Sequence, residues 1–379
     1  MSNFGFMGKT ISVLGPAEKE TQTLNLSEGN EIKTETQFEK EIKDKVNIII
    51  LNSKNENFAE EEIGNVKLFG KKLVDYVANA CIVTPKVLSC EFFHDVLSEI
   101  KPYLDSSEWT LVLYADTPLL KKNTILEILE YVYYNGVNVC KFTRGYCFKT
   151  EYIKRVKEIY SAQNYSFSEE DFLTVVDLAS LSLVREVMKN RICSFHLKNG
   201  VDIVSPETVC IDSDVIIERG SVIESNVTLA KGTEISKNCY IGNGSFISNS
   251  KIEEDNKIFG AVIDESVIGE QCEIQNFAVV RCSKLDKNCK IYEGAEVLNS
   301  KIGKNVKIEA LALVSFANMG DECEIGEAVL ISKNKGFRTK LFRKVKIGAG
   351  AKLLGGISIG DKVEIEPLQL VTKNINAKE

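Results

Sequence analysis

Histidine is almost missing from this chain. His94 and His196 are the only two in 379 residues, and histidine is the side chain that most often moves protons near neutral pH. His94 lies in a Phe-Phe-His-Asp run on an expected helix and His196 in a helical stretch, so both read as structural residues. The eleven cysteines contain no C-x-x-C pair, which removes the usual zinc-ribbon and dithiol spacings. Cys239, Cys272, Cys289 and Cys323 instead each precede an isoleucine by two positions, where a small apolar side chain suits a tight corner. A reducing cytoplasm suits such thiols. No run of about 18 apolar residues occurs, so no membrane span is expected. The amino-terminal MSNFGFMGKTISVLG lacks the long apolar core of a secretory signal. A net charge of -7 argues against a general nucleic-acid binder. Gly8-Lys9-Thr10 resembles the end of a phosphate loop, but the preceding glycine is Gly5 and no strand leads into it.

What is present is a beat of sixes. Ile211, Ile217, Ile223, Leu229, Ile235, Ile241 and Ile247 fall on one period, which returns as Ile347, Leu353, Ile359, Ile365 and Val371. Helices repeat about every 3.6 residues and strands about every 2, so neither explains the pattern. A coil of three short flat faces does, each face turning one aliphatic inward and each turn taking about eighteen residues. Residues 201–379 therefore read as a parallel β-helix of hexapeptide repeats. Between Ile331 and Ile347 the stretch SKNKGFRTKLFRKVK carries seven cations and no acid. It is expected as an extruded surface loop, open to two readings: a phosphate grip for a nucleotide sugar or coenzyme A, or a solvated loop offsetting acidic neighbours.

Ahead of the prism the chain alternates strand and helix. Residues 1–45 form an amino-terminal extension, charged and partly disordered in expectation, with a mobile segment or exposed helix from Glu18 to Lys45. Residues 46–180 read as a doubly wound α/β domain. Its buried strands are VNIIIL (46–51) and TLVLYA (110–115), with further strands at 137–142 and 145–148. Helices are expected at Leu68–Ala80, Phe92–Leu104, Leu119–Tyr134 and Glu151–Tyr160, then at Glu169–Leu178 and Leu181–Lys189, with residues 181–200 as a helical bridge to the prism. Asp116 follows a buried strand and precedes Thr117-Pro118. That placement fits a Mg²⁺ ligand facing phosphate oxygens, and equally a turn or N-cap aspartate. The turn after the first strand, Asn52 to Phe58, has no glycine, although a phosphate-binding turn needs close backbone approach.

Several segments resemble the bacterial bifunctional enzymes that make UDP-N-acetylglucosamine, which join a uridylyltransferase domain to a left-handed β-helix acetyltransferase domain. VLYADTPLL (112–120) is similar to that family's V-L-Y-G-D-x-P-L-L, and VREVMKNRICSFHLKNGVDIVSPETVCIDSDVII (184–217) resembles its bridge and first coil. Weaker echoes are IIILNSKNENFA (48–59), FGKKLVDYV (69–77) and SAQN (161–164).

The resemblance implies roles residue by residue. Asp116 matches a metal-binding aspartate, implying Mg²⁺, and the second ligand falls at Val176 or, with a one-residue slip, Asp177. The family's phosphate loop is replaced by Lys54, Glu56 and Phe58, and its I-N-T-G turn by Phe142-Thr143-Arg144-Gly145, with Lys141 where a glutamate would stand. In the prism, Arg281 matches a sugar-phosphate-binding arginine and Glu296 a family glutamate, while Leu298 replaces a lysine. Arg338, with Lys340 beside it, stands near a further substrate-binding lysine. Leu313-Val314-Ser315-Phe316 occupies the place of the histidine-leucine-serine-tyrosine base segment. The chain ends at Glu379 without the arm that helps hold acetyl-CoA, so acetyl transfer is not expected. What remains is a homotrimer through the β-helix, with a nucleotide sugar or sugar phosphate as ligand. Two functions stand open: a uridylyltransferase of the sugar-nucleotide pathway with impaired catalysis, or a non-catalytic nucleotide-sugar-binding or scaffold protein.

Overall fold

The computed structural model describes residues 36–91, 95–159, 162–332 and 337–377. Gly8-Lys9-Thr10, His94 and most of the amino-terminal extension lie outside those residues. A mixed α/β sheet comes first. Its strands are β1 (Val46–Ser53), β2 (Lys86–Cys90), β3 (Trp109–Tyr114), β4 (Val139–Phe142), β5 (Gly145–Lys149) and β6 (Gln163–Asn164). They lie in the order β2-β1-β3-β5-β4-β6. β1 runs parallel to β2 and β3, whereas β5 runs antiparallel to β3 and β4. The reason is local: Thr143-Arg144 is a two-residue turn, which joins antiparallel strands only, while a parallel pair needs a crossover. Gly145 (φ +153) is required there, because a Cβ would stand 2.5 Å from the Val112 carbonyl oxygen.

All eight residues of β1 are buried, as a central strand covered on both faces demands. Ile48 and Ile50 pack with Leu73 and Val77 of the helix Leu73–Ala80 and with Ile125, Ile128 and Val132, while Ile49 and Leu51 pack with Leu97, Ile100 and Ile153 on the other side. Strand alternation sorts the two sets. Several helices are shorter than their apolar patterns suggest. The described part of the second is Val96–Ile100, the third is Lys122–Asn135, capped by Gly136 at φ +63, and the fourth is Thr150–Arg155. Helical expectation over Glu169–Leu178 gives way to a 3-10 turn at Glu170–Phe172. One 21-residue helix, Leu178–Lys198, replaces the shorter one expected at Leu181–Lys189, opened by a capping box between Asp177 and Ser180. The described end of the amino-terminal extension is a docked helix, Gln37–Lys43, not an exposed one. Ile42 is buried and Glu39 meets Lys122 Nζ at 2.7 Å.

The prism follows as three parallel sheets of ten, nine and ten short rungs, a left-handed β-helix of hexapeptide repeats. Inward residues pair only with inward residues. On one ten-rung face the column runs Ile211, Leu229, Ile247, Ile263, Val280, Val297, Val314, Ile331, Leu353 and Val371. Each such side chain contributes about 1.5–3 kcal/mol by burial. The register explains why the beat of sixes fades after Ile247. From Ile247 to Met319 the turn from this face to the nine-rung face drops one residue, so inward positions there are five apart: Ile247 to Ile252, Ile263 to Ile268, Val280 to Leu285, Val297 to Ile302, Val314 to Met319. The short corner turns through positive φ at Asn249, Glu265, Cys282, Asn299 and Phe316. A buried serine ladder ties it. Ser250, Ser266, Ser283 and Ser300 each accept, through Oγ, the backbone N–H one coil on, from Ser266, Ser283, Ser300 and Ala317 respectively, at 3.0–3.1 Å. Cys239, Cys272, Cys289 and Cys323 line another corner and are buried, as small corner residues should be.

The cationic stretch before Ile347 is not one extruded loop. Lys333 and Lys335 lie outside the described residues, but the coil resumes at Thr339, with Leu341 inward. Its later cations are paired. Lys344 meets Glu322 at 3.3 Å and Lys346 meets Glu324 at 3.3 Å. No helix among the described residues is long and apolar enough to cross a membrane.

His196, on the last turn of the long helix, is buried with neither ring nitrogen hydrogen-bonded. Burial pushes its pKa down from 6.5 to about 4. A folded-state pKa below the unfolded one means that the unfolded chain takes up the proton first as pH falls. Stability should therefore be intact above the unfolded pKa and fall by about 2 kcal/mol between pH 7.5 and 5 on account of this residue. Urea unfolding at the two pH values, compared with His196→Phe, tests this: the substitution should flatten that part of the pH dependence.

Candidate functional sites

The first candidate lies at the carboxyl ends of β1, β2 and β3, where ligands bind in open α/β sheets. Asp116 stands just past β3 and is almost fully buried. Its backbone carbonyl accepts from Val175 N at 2.8 Å, which holds the strand end against the segment leading to the long helix. Its carboxylate is already engaged. Arg144 Nη2 donates to Oδ2 at 2.6 Å and Nε donates to Oδ2 and Oδ1 at 3.1 and 3.3 Å. The guanidinium lies over the Tyr114 ring, 4.1 Å from its centroid. Burial pushes the Asp116 carboxyl above its usual range, and Arg144 opposes that shift by hydrogen bonding and charge.

This arrangement does not fit Mg²⁺. A divalent ion needs several free oxygen ligands, and the Asp116 oxygens face a fixed cation instead. The Asp177 carboxylate caps the long helix through Ser180 N at 2.8 Å and Ser180 Oγ at 2.7 Å. The Val176 carbonyl accepts from Asn55 Nδ2 and Asn57 Nδ2, each at 3.1 Å. Among the described residues no group of three or more histidine, cysteine or acidic side chains could hold a metal. Sequence reading noted Arg144 only as a change in a turn. Its contact crosses 28 residues of chain, and no local pattern announces it.

The second candidate is the short corner of the prism. Arg281 ends the rung Val279–Arg281 and is exposed. One coil on, Asn299 N donates to the Arg281 carbonyl at 2.9 Å, and the Asn299 carbonyl accepts from Arg338 Nη1 at 2.5 Å. The Arg338 guanidinium sits 5.8 Å from the Phe316 ring centroid. Around the corner Lys284 pairs in register with Lys301, then Asn318, then Lys340, all facing outward. The corner thus gathers Arg281, Arg338, Lys340 and two lysines that the sequence reading passed over. Asp264, in register with Arg281 one coil back, accepts from Ser248 Oγ at 2.5 Å. Glu296 stands apart from these cations, outward on the ten-rung face between Val279 and Leu313.

Removing Arg144 alone should leave Asp116 as an uncompensated buried charge. Arg144→Met is expected to cost about 3–5 kcal/mol, and Asp116→Asn/Arg144→Met markedly less. Denaturant unfolding of the two variants decides it; equal losses would show that the pair is not the source.

Comparison with known proteins finds likenesses over part of the chain. The model of the GMPPB C-terminal domain matches residues 205–284. The chain is 30% identical over 222 residues to the bifunctional protein GlmU of Staphylococcus epidermidis, covering 58% of this chain and 48% of that one. It is also 30% identical over 230 residues to GlmU of Geobacillus thermodenitrificans, covering 59% and 50%. The chain spans about half the length of the curated relatives it matches. Among solved structures, the UDP-N-acetylglucosamine acyltransferase of Francisella novicida is 14% identical, with a TM-score of 0.35, covering 44% of this chain and 67% of that one. The chain is thus similar to the bifunctional GlmU proteins over about half of their length.

Proposed function

We propose that this protein serves UDP-N-acetylglucosamine metabolism in the cytoplasm as a trimeric nucleotide-sugar- or sugar-phosphate-binding member of its family, with both transfer reactions impaired. The observation that carries the reading is that one corner of the prism gathers Arg281, Arg338, Lys284, Lys301 and Lys340, with the Asn299 backbone bonded to the Arg281 carbonyl on one side and to the Arg338 guanidinium on the other. Guanidinium groups in such a pair suit a phosphate or diphosphate. The impaired chemistry rests on two features. Asp116 is held by Arg144 rather than open to a metal. Leu313, Val314 and Ser315 occupy the rung where the family resemblance implies a histidine base, and they offer no group that titrates near neutral pH.

Support for a trimer comes from the same prism. Phe246, Val262, Val279, Leu313, Leu330 and Leu370 face outward along one ten-rung sheet. At the corner leading into it, Phe277, Leu311 and Leu368 are 80%, 72% and 81% exposed and sit at φ +62, +59 and +62. Left-handed backbone costs a bulky residue about 1–2 kcal/mol, so solvent alone is a poor reason for these side chains. A threefold copy of the same surface would bury them.

Calorimetric titration with UDP-N-acetylglucosamine should give saturable heat that Arg281→Ala weakens at least about tenfold. No heat with the wild-type protein sinks the reading. A pyrophosphate-release assay with UTP and N-acetylglucosamine-1-phosphate should stay at background; turnover abolished by Asp116→Ala would restore the uridylyltransferase. Phe277→Asn/Leu311→Asn/Leu368→Asn should lower the mass seen by light scattering to that of one chain, whereas an unchanged trimer removes the role given to these residues.

A further inference from the structure

We infer that the strand-end cleft has a built-in cation in place of a divalent metal: Arg144 takes a phosphate-type oxyanion there, and takes it without Mg²⁺. The inference goes beyond the prism corner and does not rest on it. The guanidinium spends Nε and Nη2 on Asp116, while Nη1 has no hydrogen-bond partner among the described residues. The side chain is nonetheless 37% exposed. Its plane is fixed from below by the Tyr114 ring and from the side by a bidentate carboxylate, so a donor edge is held rigid toward solvent. That is the preorganisation an anion site needs, because little side-chain entropy remains to be lost on binding. The turn that carries Arg144 is fixed too, since Gly145 packs against Phe142 and the Val112 carbonyl too closely for any Cβ.

Two of the nearby carboxylates are themselves engaged. The neighbouring carboxylate of Glu91 is tied to Lys54 Nζ at 2.7 Å, and Glu62 accepts from Asn52 Nδ2 at 2.9 Å. Lys141, exposed on β4, lies opposite Tyr146 of β5 beside the same turn. The position is the carboxyl end of parallel strands, where the backbone leaves an open crevice. A glycine-poor turn follows β1, so backbone amides cannot wrap a triphosphate; the ligand expected is a short phosphate or diphosphate held by side chains.

The test uses the full chain carrying Arg281→Ala/Lys284→Ala/Lys301→Ala/Arg338→Ala/Lys340→Ala, so that the prism corner contributes no heat. Inorganic pyrophosphate is titrated calorimetrically, once with EDTA and once with excess Mg²⁺. Saturable binding is expected in EDTA, no tighter with Mg²⁺. Adding Asp116→Asn/Arg144→Met, which removes both charges and leaves no buried ion unpaired, should weaken it at least about tenfold. Circular dichroism confirms that this variant is folded. Repeating the titration with UDP identifies the source: tighter binding than pyrophosphate assigns the site to a nucleoside diphosphate, weaker binding to the free anion. Heat that appears only with Mg²⁺, heat untouched by the double substitution, or no heat in either condition overturns the inference. Any of these leaves the Arg281-dependent binding of UDP-N-acetylglucosamine to stand or fall separately.

Discussion

A parallel coil must bring each inward side chain back over the one beneath it. Every other feature of the prism follows from that closure. The rungs are only two or three residues long, so they tolerate little variation, and length changes have to be absorbed at corners. The shortened corner absorbs a deletion of one residue per coil, and its serine hydroxyls bond the N–H groups above them. Buried backbone donors need such partners. The ladder's top serine bonds Ala317 N, and in the next coil the inward positions Ile331 and Leu341 stand ten residues apart rather than five. The cationic corner therefore sits where the repeat lengthens, beside a wall of stacked coils.

Much of this wall was legible in advance. The isoleucine beat announces the coil because period six belongs to no helix or strand, and the corner cysteines announce themselves by their offset from it. What blurred the middle of the beat was a single missing residue per turn, which moves inward positions from six to five apart at one corner only. A fixed window loses such a pattern, although a run of serines following Asn249, Glu265, Cys282 and Asn299 marks it once known. The α/β half was legible at its buried strands for the same reason that β1 is wholly apolar. Its helices were less so. Apolar spacing continues past the point where a helix gives way to a turn, and the long helix after Asp177 carries buried positions at Leu181, Val184, Met188 and Ile192 that the sequence reading broke too early.

The candidate sites were legible in identity and not in state. Asp116 could be found by its strand, Arg281 and Glu296 by resemblance. Whether Asp116 is open or occupied depends on Arg144, which reaches it from the turn of the hairpin whose second strand, β5, pairs with β3. The electrostatics make that pairing intelligible. An aspartate buried to this degree needs a counter-charge, which in a nucleotide-processing site a metal would supply. Where the acceptor-rich surroundings for a metal are missing, a guanidinium satisfies the carboxylate bidentately and brings its own charge. A similar solution recurs nearby, where buried Asp171 meets Lys121 Nζ and Arg191 Nη2, each at 2.8 Å, and ties the 3-10 turn to the long helix.

The two halves of the molecule therefore hold their charges in opposite ways. In the α/β domain Arg144, Lys121 and Arg191 are each tied to a buried carboxylate, which fixes their geometry. On the prism one ten-rung face interleaves lysines with glutamates, with Lys290 against Glu273 at 3.4 Å and Lys346 against Glu324 at 3.3 Å, whereas Lys284, Lys301 and Lys340 follow one another on the nine-rung face with only Asn318 between them. Like charges stacked on adjacent rungs repel. A sequence that intersperses glutamates on one face and leaves its neighbour without them keeps that repulsion beside the corner that carries Arg281 and Arg338. An anion bound there relieves it, and that relief adds to the hydrogen bonds in favouring a charged ligand.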